Sequence, residues 1–180
     1  MKNILYLSTI TLFAIATTAC NDNKRAKNYN ERTLVDDKAV GFIMEANEAG
    51  MTEIKSAMLA QSKSANPRVV FFAKMMITDH TNVGNELRKI ADNKYVSIKA
   101  ANDTLNLEHQ RMVADMSKLS GAAFDKAYMG MMVADHGKTV ELFKSIVRNK
   151  NKALNDFADK TIPKLQVHLD SAKAINASLK

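Results

Sequence analysis

The chain is poor in the residues that many folds depend on. Its 180 residues include one cysteine, no tryptophan, two prolines and six glycines. A single cysteine excludes a disulfide scaffold and any zinc site built from several thiolates. So few glycines and prolines exclude a collagen-like repeat and argue against an all-β sandwich, which needs a tight turn every few residues. There is no glycine-rich phosphate loop, no Ser-His-Asp order and no nucleic-acid motif. The 26 basic residues outnumber the 19 acidic ones, for a formal charge of +7. They are scattered along the chain, so no nucleic-acid partner is expected, and the basic balance points to anionic envelope surfaces or to nothing specific. The length is that of one domain.

The first 20 residues carry an address. Lys2 precedes an uncharged apolar run from Ile4 to Ala16, which is followed by Thr17-Thr18-Ala19-Cys20. Spanning a bilayer takes roughly 20 apolar residues, so this run reads as an export signal over residues 1–19. Small residues before the lone Cys20 resemble the bacterial lipobox, in which the thiol is lipidated and becomes the new N-terminus, although Thr17 stands where leucine is usual. The expected result is a lipoprotein of the bacterial cell envelope, facing the periplasm or held at the outer membrane, with the membrane as partner through its anchor. Residues 20–35 are polar and without apolar periodicity, which predicts a flexible tether. Its basic residues would each favour anionic headgroups by about 1 kcal/mol near a surface.

From Asp36 onward apolar residues recur at helical spacing. The punctuation predicts helices from about Asp37 to Ser62, from Pro67 to about Asn93, from Gly121 to about Asn149 and from Ala153 to Leu179. Asn66 is an N-cap followed by proline at the first helical position, where its missing N–H costs nothing. Residues 94–104 form a crossover, after which Asp103 or Thr104 caps a short helix to Leu119. Pro163 is expected to bend or restart the last helix. The segment Met75-Met76-Ile77-Thr78-Asp79-His80 matches Met131-Met132-Val133-Ala134-Asp135-His136, 56 residues later. Eight heptads preserve both phase and the Asp-His pair, which predicts two helical hairpins related by internal duplication. The fold class is all-α: a ferritin-like four-helix bundle over residues 36–180, with one long crossover carrying a short extra helix.

All four histidines fall on apolar seams. Burying an unpaired polar ring costs about 1 to 3 kcal/mol, so these rings need partners. In the first helix Glu53 lies within a stripe of small residues, Ala46, Ala49, Gly50, Ala57 and Ala60, that lets a neighbouring helix approach. Counted from their turns, Glu53, His80, His136 and His168 come within about 6 Å of one level at 1.5 Å per residue. The spacing therefore offers a metal site of Glu53, His80, His136 and His168, with Asp79 and Asp135 behind them as acceptors for ring N–H groups. Zn, Fe or Cu would accept such ligands. The alternative is a polar cluster in which these groups satisfy one another without metal. His109 is assigned to packing or solvent. Met76 and Met132, each four residues before a seam histidine, add a Cu(I) option, though methionine is also a common core filler.

Dimetal carboxylate bundles need Glu three residues before His, whereas Ile77, Val133 and Leu165 occupy those places. A ferritin-type oxidase or peroxidase is thus the third reading. The first is a non-catalytic envelope protein with a His/Glu/Asp core cluster suited to a transition metal as cofactor, and the second is a structural or interaction module whose protein partner the sequence does not identify.

Several stretches also resemble a family of exported bacterial proteins, domain of unknown function 4142. They are Ala49-Gly50-Met51-Thr52-Glu53, Asn66-Pro67 followed by Phe72-Ala73-Lys74-Met75-Met76-Ile77-Thr78-Asp79-His80, Gly121-Ala122-Ala123-Phe124-Asp125-Lys126-Ala127-Tyr128, Met132-Val133-Ala134-Asp135-His136 and Ile162-Pro163-Lys164-Leu165-Gln166-Val167-His168-Leu169. The resemblance runs from about Asp37 to Leu179. It implies a ferritin-like fold and export, and brings no established activity.

Overall fold

The computed structural model describes residues 36–94, 96–99 and 103–179. The expected export signal, Cys20 and the tether lie outside the described residues. Five helices form, and no strand is present among the described residues: α1 (Asp37–Lys63), α2 (Pro67–Asn93), α3 (Leu107–Ser117), α4 (Gly121–Ile146) and α5 (Lys152–Ser178).

Local chemistry sets the helix starts. Asp36 accepts a hydrogen bond from the Ala39 N–H at 2.8 Å, Asn66 from Arg68 at 3.0 Å, and Asn151 from Ala153 at 3.1 Å, each satisfying a first-turn donor that has no intrahelical partner. Gly121 opens α4 at φ 55°, a left-handed conformation that glycine alone adopts without penalty.

Three expectations are corrected. The short helix is capped by Asn106, not by Asp103 or Thr104. The Asn106 side chain accepts from the His109 N–H at 2.9 Å, while its own N–H donates to Glu48 of α1 at 2.7 Å. The cap therefore forms where the crossover is pinned to the bundle. Of the two outcomes expected at Pro163, a bend or a restart, the restart does not occur, and α5 continues through the proline. Pro163 is exposed, as is Asp159, whose carbonyl loses its donor, so water on that face can replace the missing bond. Finally, α1 packs on α2 and α4, and α5 packs on α4 and α2, which puts the repeated segments of α2 and α4 on diagonal helices. One is the second helix of its hairpin and the other the first, so the repeat does not superpose one hairpin on the other.

The core is divided in two. One apolar cluster holds Phe42, Ile43, Leu87, Phe143, Leu154 and Phe157, with Phe42 and Phe143 edge to face at 5.0 Å. The other holds Phe72, Met76, Phe124, Tyr128, Met132 and Ile175. Along each long helix buried polar residues separate the two sets: Glu53 with Asn47, Thr52 and Ser56 in α1, His80 in α2, His136 with Thr139 in α4, and His168 in α5. Of these, Glu53, His80, His136 and His168 are the ionisable ones. These four side chains make a polar layer at mid-height. Met76 and Met132 belong to the apolar cluster on one side of it, and α3 lies against α1 and α4.

Candidate metal centre

The three imidazoles form a nearly equilateral triangle. Ring centroids are 5.4 Å apart for His80 and His136, 5.3 Å for His80 and His168, and 5.4 Å for His136 and His168. None is more than 4 % exposed, which removes water as the default partner for their nitrogens.

One nitrogen of each ring is anchored. His136 Nδ1 lies 3.0 Å from the Met132 carbonyl and 3.3 Å from Glu53 Oε1. His80 Nδ1 lies 2.8 Å from Glu53 Oε2. Both contacts to Glu53 are ion-pair distances off the axis of a linear N–H···O bond, since neither carboxylate oxygen is satisfied by a well-aligned donor. His168 Nε2 lies 2.9 Å from Asp79 Oδ2, and Asp79 is braced by Lys164 at 2.9 Å. Carbonyls and carboxylates only accept, so His136 Nδ1 and His168 Nε2 carry their protons, and the charge of Glu53 beside His80 Nδ1 favours the proton there; each opposite nitrogen is then a bare lone pair. Those opposite atoms, His80 Nε2, His136 Nε2 and His168 Nδ1, are buried without a hydrogen-bond partner.

Electrostatics favour this arrangement. Burial holds His136 below the usual histidine range, only partly countered by Glu53, and burial lowers His168 to about 4 against the pull of Asp79. Both rings are neutral at pH 7 and able to act as ligands. Burial alone would push the Glu53 carboxyl up, but His80 and His136 beside it more than offset this and hold it at about 2. Asp79 is likewise held low, with Lys164 and His168 overcoming its burial.

The expected site residues are distributed as follows. His80, His136 and His168 each offer a nitrogen such that the three lie within 4.8 Å of one another. Glu53, expected as a ligand, is in the same layer, but it packs on the Nδ1 side of two rings and is not among the converging groups. Asp79 does stand behind a ring, as expected. Asp135 does not: its Oδ2 is buried with no hydrogen-bond partner, and burial and then the charge of Glu53 push its carboxyl up. Equivalent in the repeat, the two aspartates meet different neighbours, for α5 presents a histidine to Asp79 whereas α1 contributes a carboxylate near Asp135. His109 stands apart, with Nδ1 at 2.9 Å from Thr52 Oγ1 and 3.2 Å from Glu48 Oε1, where it ties α3 to α1.

Tyr128 is a residue that the spacing argument passed over. It is fully buried, its hydroxyl has no partner, and burial with the nearby charge of Glu53 raises its pKa. Its position four and eight residues before Met132 and His136, on the same seam, was the available signal.

No curated protein and no solved structure matches the chain. A family match covers residues 24–175 and includes every residue of this layer: the chain belongs to the family described as Domain of unknown function (DUF4142).

Proposed function

We propose that this chain is a bacterial envelope lipoprotein whose bundle holds one transition-metal ion through His80, His136 and His168, without turning over a substrate. The observation that carries the reading is the trio of unpartnered ring nitrogens. One water has two protons and cannot satisfy three lone pairs, whereas a cation can. Left unpaired, each nitrogen costs about 1 to 3 kcal/mol, a large fraction of a typical stability of about 5 to 15 kcal/mol.

The chemistry of the donors fits Zn²⁺, Fe²⁺ or Cu²⁺. Nitrogens no more than 4.8 Å apart lie within about 2.8 Å of a common centre, so each ring would move inward by at most about 0.7 Å to reach a Zn–N distance near 2.1 Å. Glu53 and Asp79 act as the orienting carboxylates, fixing the tautomer and ring direction of their histidines. Apolar clusters on both sides, and an adjoining cavity of only about 50 Å³, leave no room for a substrate of more than a few atoms. That supports a binding or structural role over catalysis.

The test is metal content and thermal stability of protein purified without a histidine tag. Bound metal, or a rise in Tm with Zn²⁺, Cu²⁺ or Fe²⁺ that His136→Ala abolishes, is expected. No copurifying metal and no shift would overturn the reading and leave an interaction module. For the anchor, Cys20→Ala should release the protein from membranes, and a wild type already soluble after export would refute the lipoprotein assignment.

A further inference from the structure

A narrow cavity joins the histidine layer to the outside of the bundle between α1 and α2. Thr81 and Asn85 are exposed at its outer rim, and Glu53 and His80 are buried at its inner end. Gly50 of α1 and Gly84 of α2 both line it. A Cβ added at either glycine meets nothing within 4 Å, so neither is required by close helix packing. Mid-helix glycine costs about 0.5 to 1 kcal/mol relative to alanine. Glu53 is only 1 % exposed, and both its carboxylate oxygens lack an aligned donor.

We propose that this glycine-lined cavity is the port through which a transition-metal cation, stripped of most of its water, reaches the three histidines, with Glu53 as the carboxylate that receives it from solvent. The proposal rests on the metal reading above. A volume of about 50 Å³ has room for about three to five water-sized groups at roughly 10–15 Å³ each, fewer than a full octahedral shell of waters around an ion requires. Each water shed needs a replacement, and the ionised Glu53 carboxylate supplies oxygen ligands at the point where the passage meets the rings. Glu53 touches His80 and His136 on their Nδ1 side, so from there the ion passes around the rings to their unpartnered Nε2 atoms. The same filter acts against Mg²⁺, which gives up its water reluctantly. A groove on the other side of α1, lined by Glu48, His109, Asp135 and Thr139, is the rival route.

Uptake kinetics test the port. Metal-free protein is mixed with Co²⁺ and followed by the visible absorption of the bound ion. Gly84→Leu, which narrows the passage at a position that is not itself a ligand, should slow uptake at least tenfold, about 1.4 kcal/mol on the barrier, and slow removal by EDTA alike, leaving Kd within about twofold. Should that variant misfold, the double variant Gly50→Ala/Gly84→Ala adds two methyl groups in free space and should load several-fold more slowly. Glu53→Gln should also load slowly, and millimolar Mg²⁺ should leave the wild-type rate unchanged. Plugged variants that load at the wild-type rate, or an Ala49→Leu substitution in the rival groove that slows uptake instead, would overturn the port while metal binding stands. A wild type that takes up no Co²⁺ would overturn the metal reading itself.

Discussion

At the scale of single residues, the layer is an arrangement of proton positions. Met132 O and Asp79 accept from His136 and His168, while the Glu53 charge beside Nδ1 of His80 favours the proton there, and together they decide which nitrogen of each ring stays bare. Glu53→Gln keeps the shape and removes the charge, so metal affinity should fall by about 10- to 100-fold with binding retained, as for other orienting carboxylates; a competition titration against a chromophoric chelator measures it. Acid should unfold the metal-free protein in two stages. His168 falls from 6.5 in the unfolded chain to about 4 when folded, so between those values the unfolded state binds more protons, and stability present above pH 6.5 is lost on the way down to 4. Glu53, near 4.5 unfolded and about 2 folded, extends the loss below pH 4.5. Urea midpoints from pH 8 to pH 3 should trace this slope, and His168→Gln should flatten its upper part.

The residue scale also shows what spacing could and could not convey. Seam phase placed His80, His136 and His168 inward and level, because 1.5 Å per residue leaves little freedom once the turns are fixed. It could not say whether Glu53 faces the lone pairs or the ring N–H groups, since that depends on rotation within the layer. Nor could it separate Asp79 from Asp135. Their local sequences match, and only the helix packed opposite each one makes Asp79 a ring acceptor and leaves Asp135 Oδ2 without a partner.

At the scale of elements, caps and turns were largely legible because they depend on neighbours in the chain. Asn66, Gly121 and Asn151 stand where helices start. Gly121→Ala should cost about 1 kcal/mol, the penalty of a Cβ in the left-handed region, seen as a lower urea midpoint with an unchanged slope. Pro163→Ala should act the other way. An interior helical proline is disfavoured by about 3 kcal/mol relative to alanine, and this one is exposed, so a gain of about 1 to 3 kcal/mol in the same measurement is expected. The start of α3 was misplaced because the decisive bond, from the Asn106 N–H to Glu48, spans 58 residues, and no local pattern encodes a contact of that range.

On the scale of the whole molecule, the bundle accepts a polar layer where continuous packing was available. Buried polar clusters replaced by apolar groups of similar volume often give proteins more stable by about 1 to 4 kcal/mol. Replacing Glu53, His80, His136 and His168 together by leucine or methionine should therefore raise the Tm of the metal-free protein and abolish metal binding. A quadruple variant that unfolds more easily than the wild type would show that the layer is structural cement. The wild type should gain stability with metal concentration as RT ln(1 + [M]/Kd), which a Tm titration follows.

Heptad phase, the starts of the long helices and the inward direction of His80, His136 and His168 were determined by the order of residues alone, since each follows from the geometry of one helix. Which side chains share a proton, which carboxylate is left without a partner and where a cavity remains between α1 and α2 were decided only when the helices packed. Those outcomes depend on ångström-scale offsets between segments tens of residues apart, and nothing within a single helix fixes them.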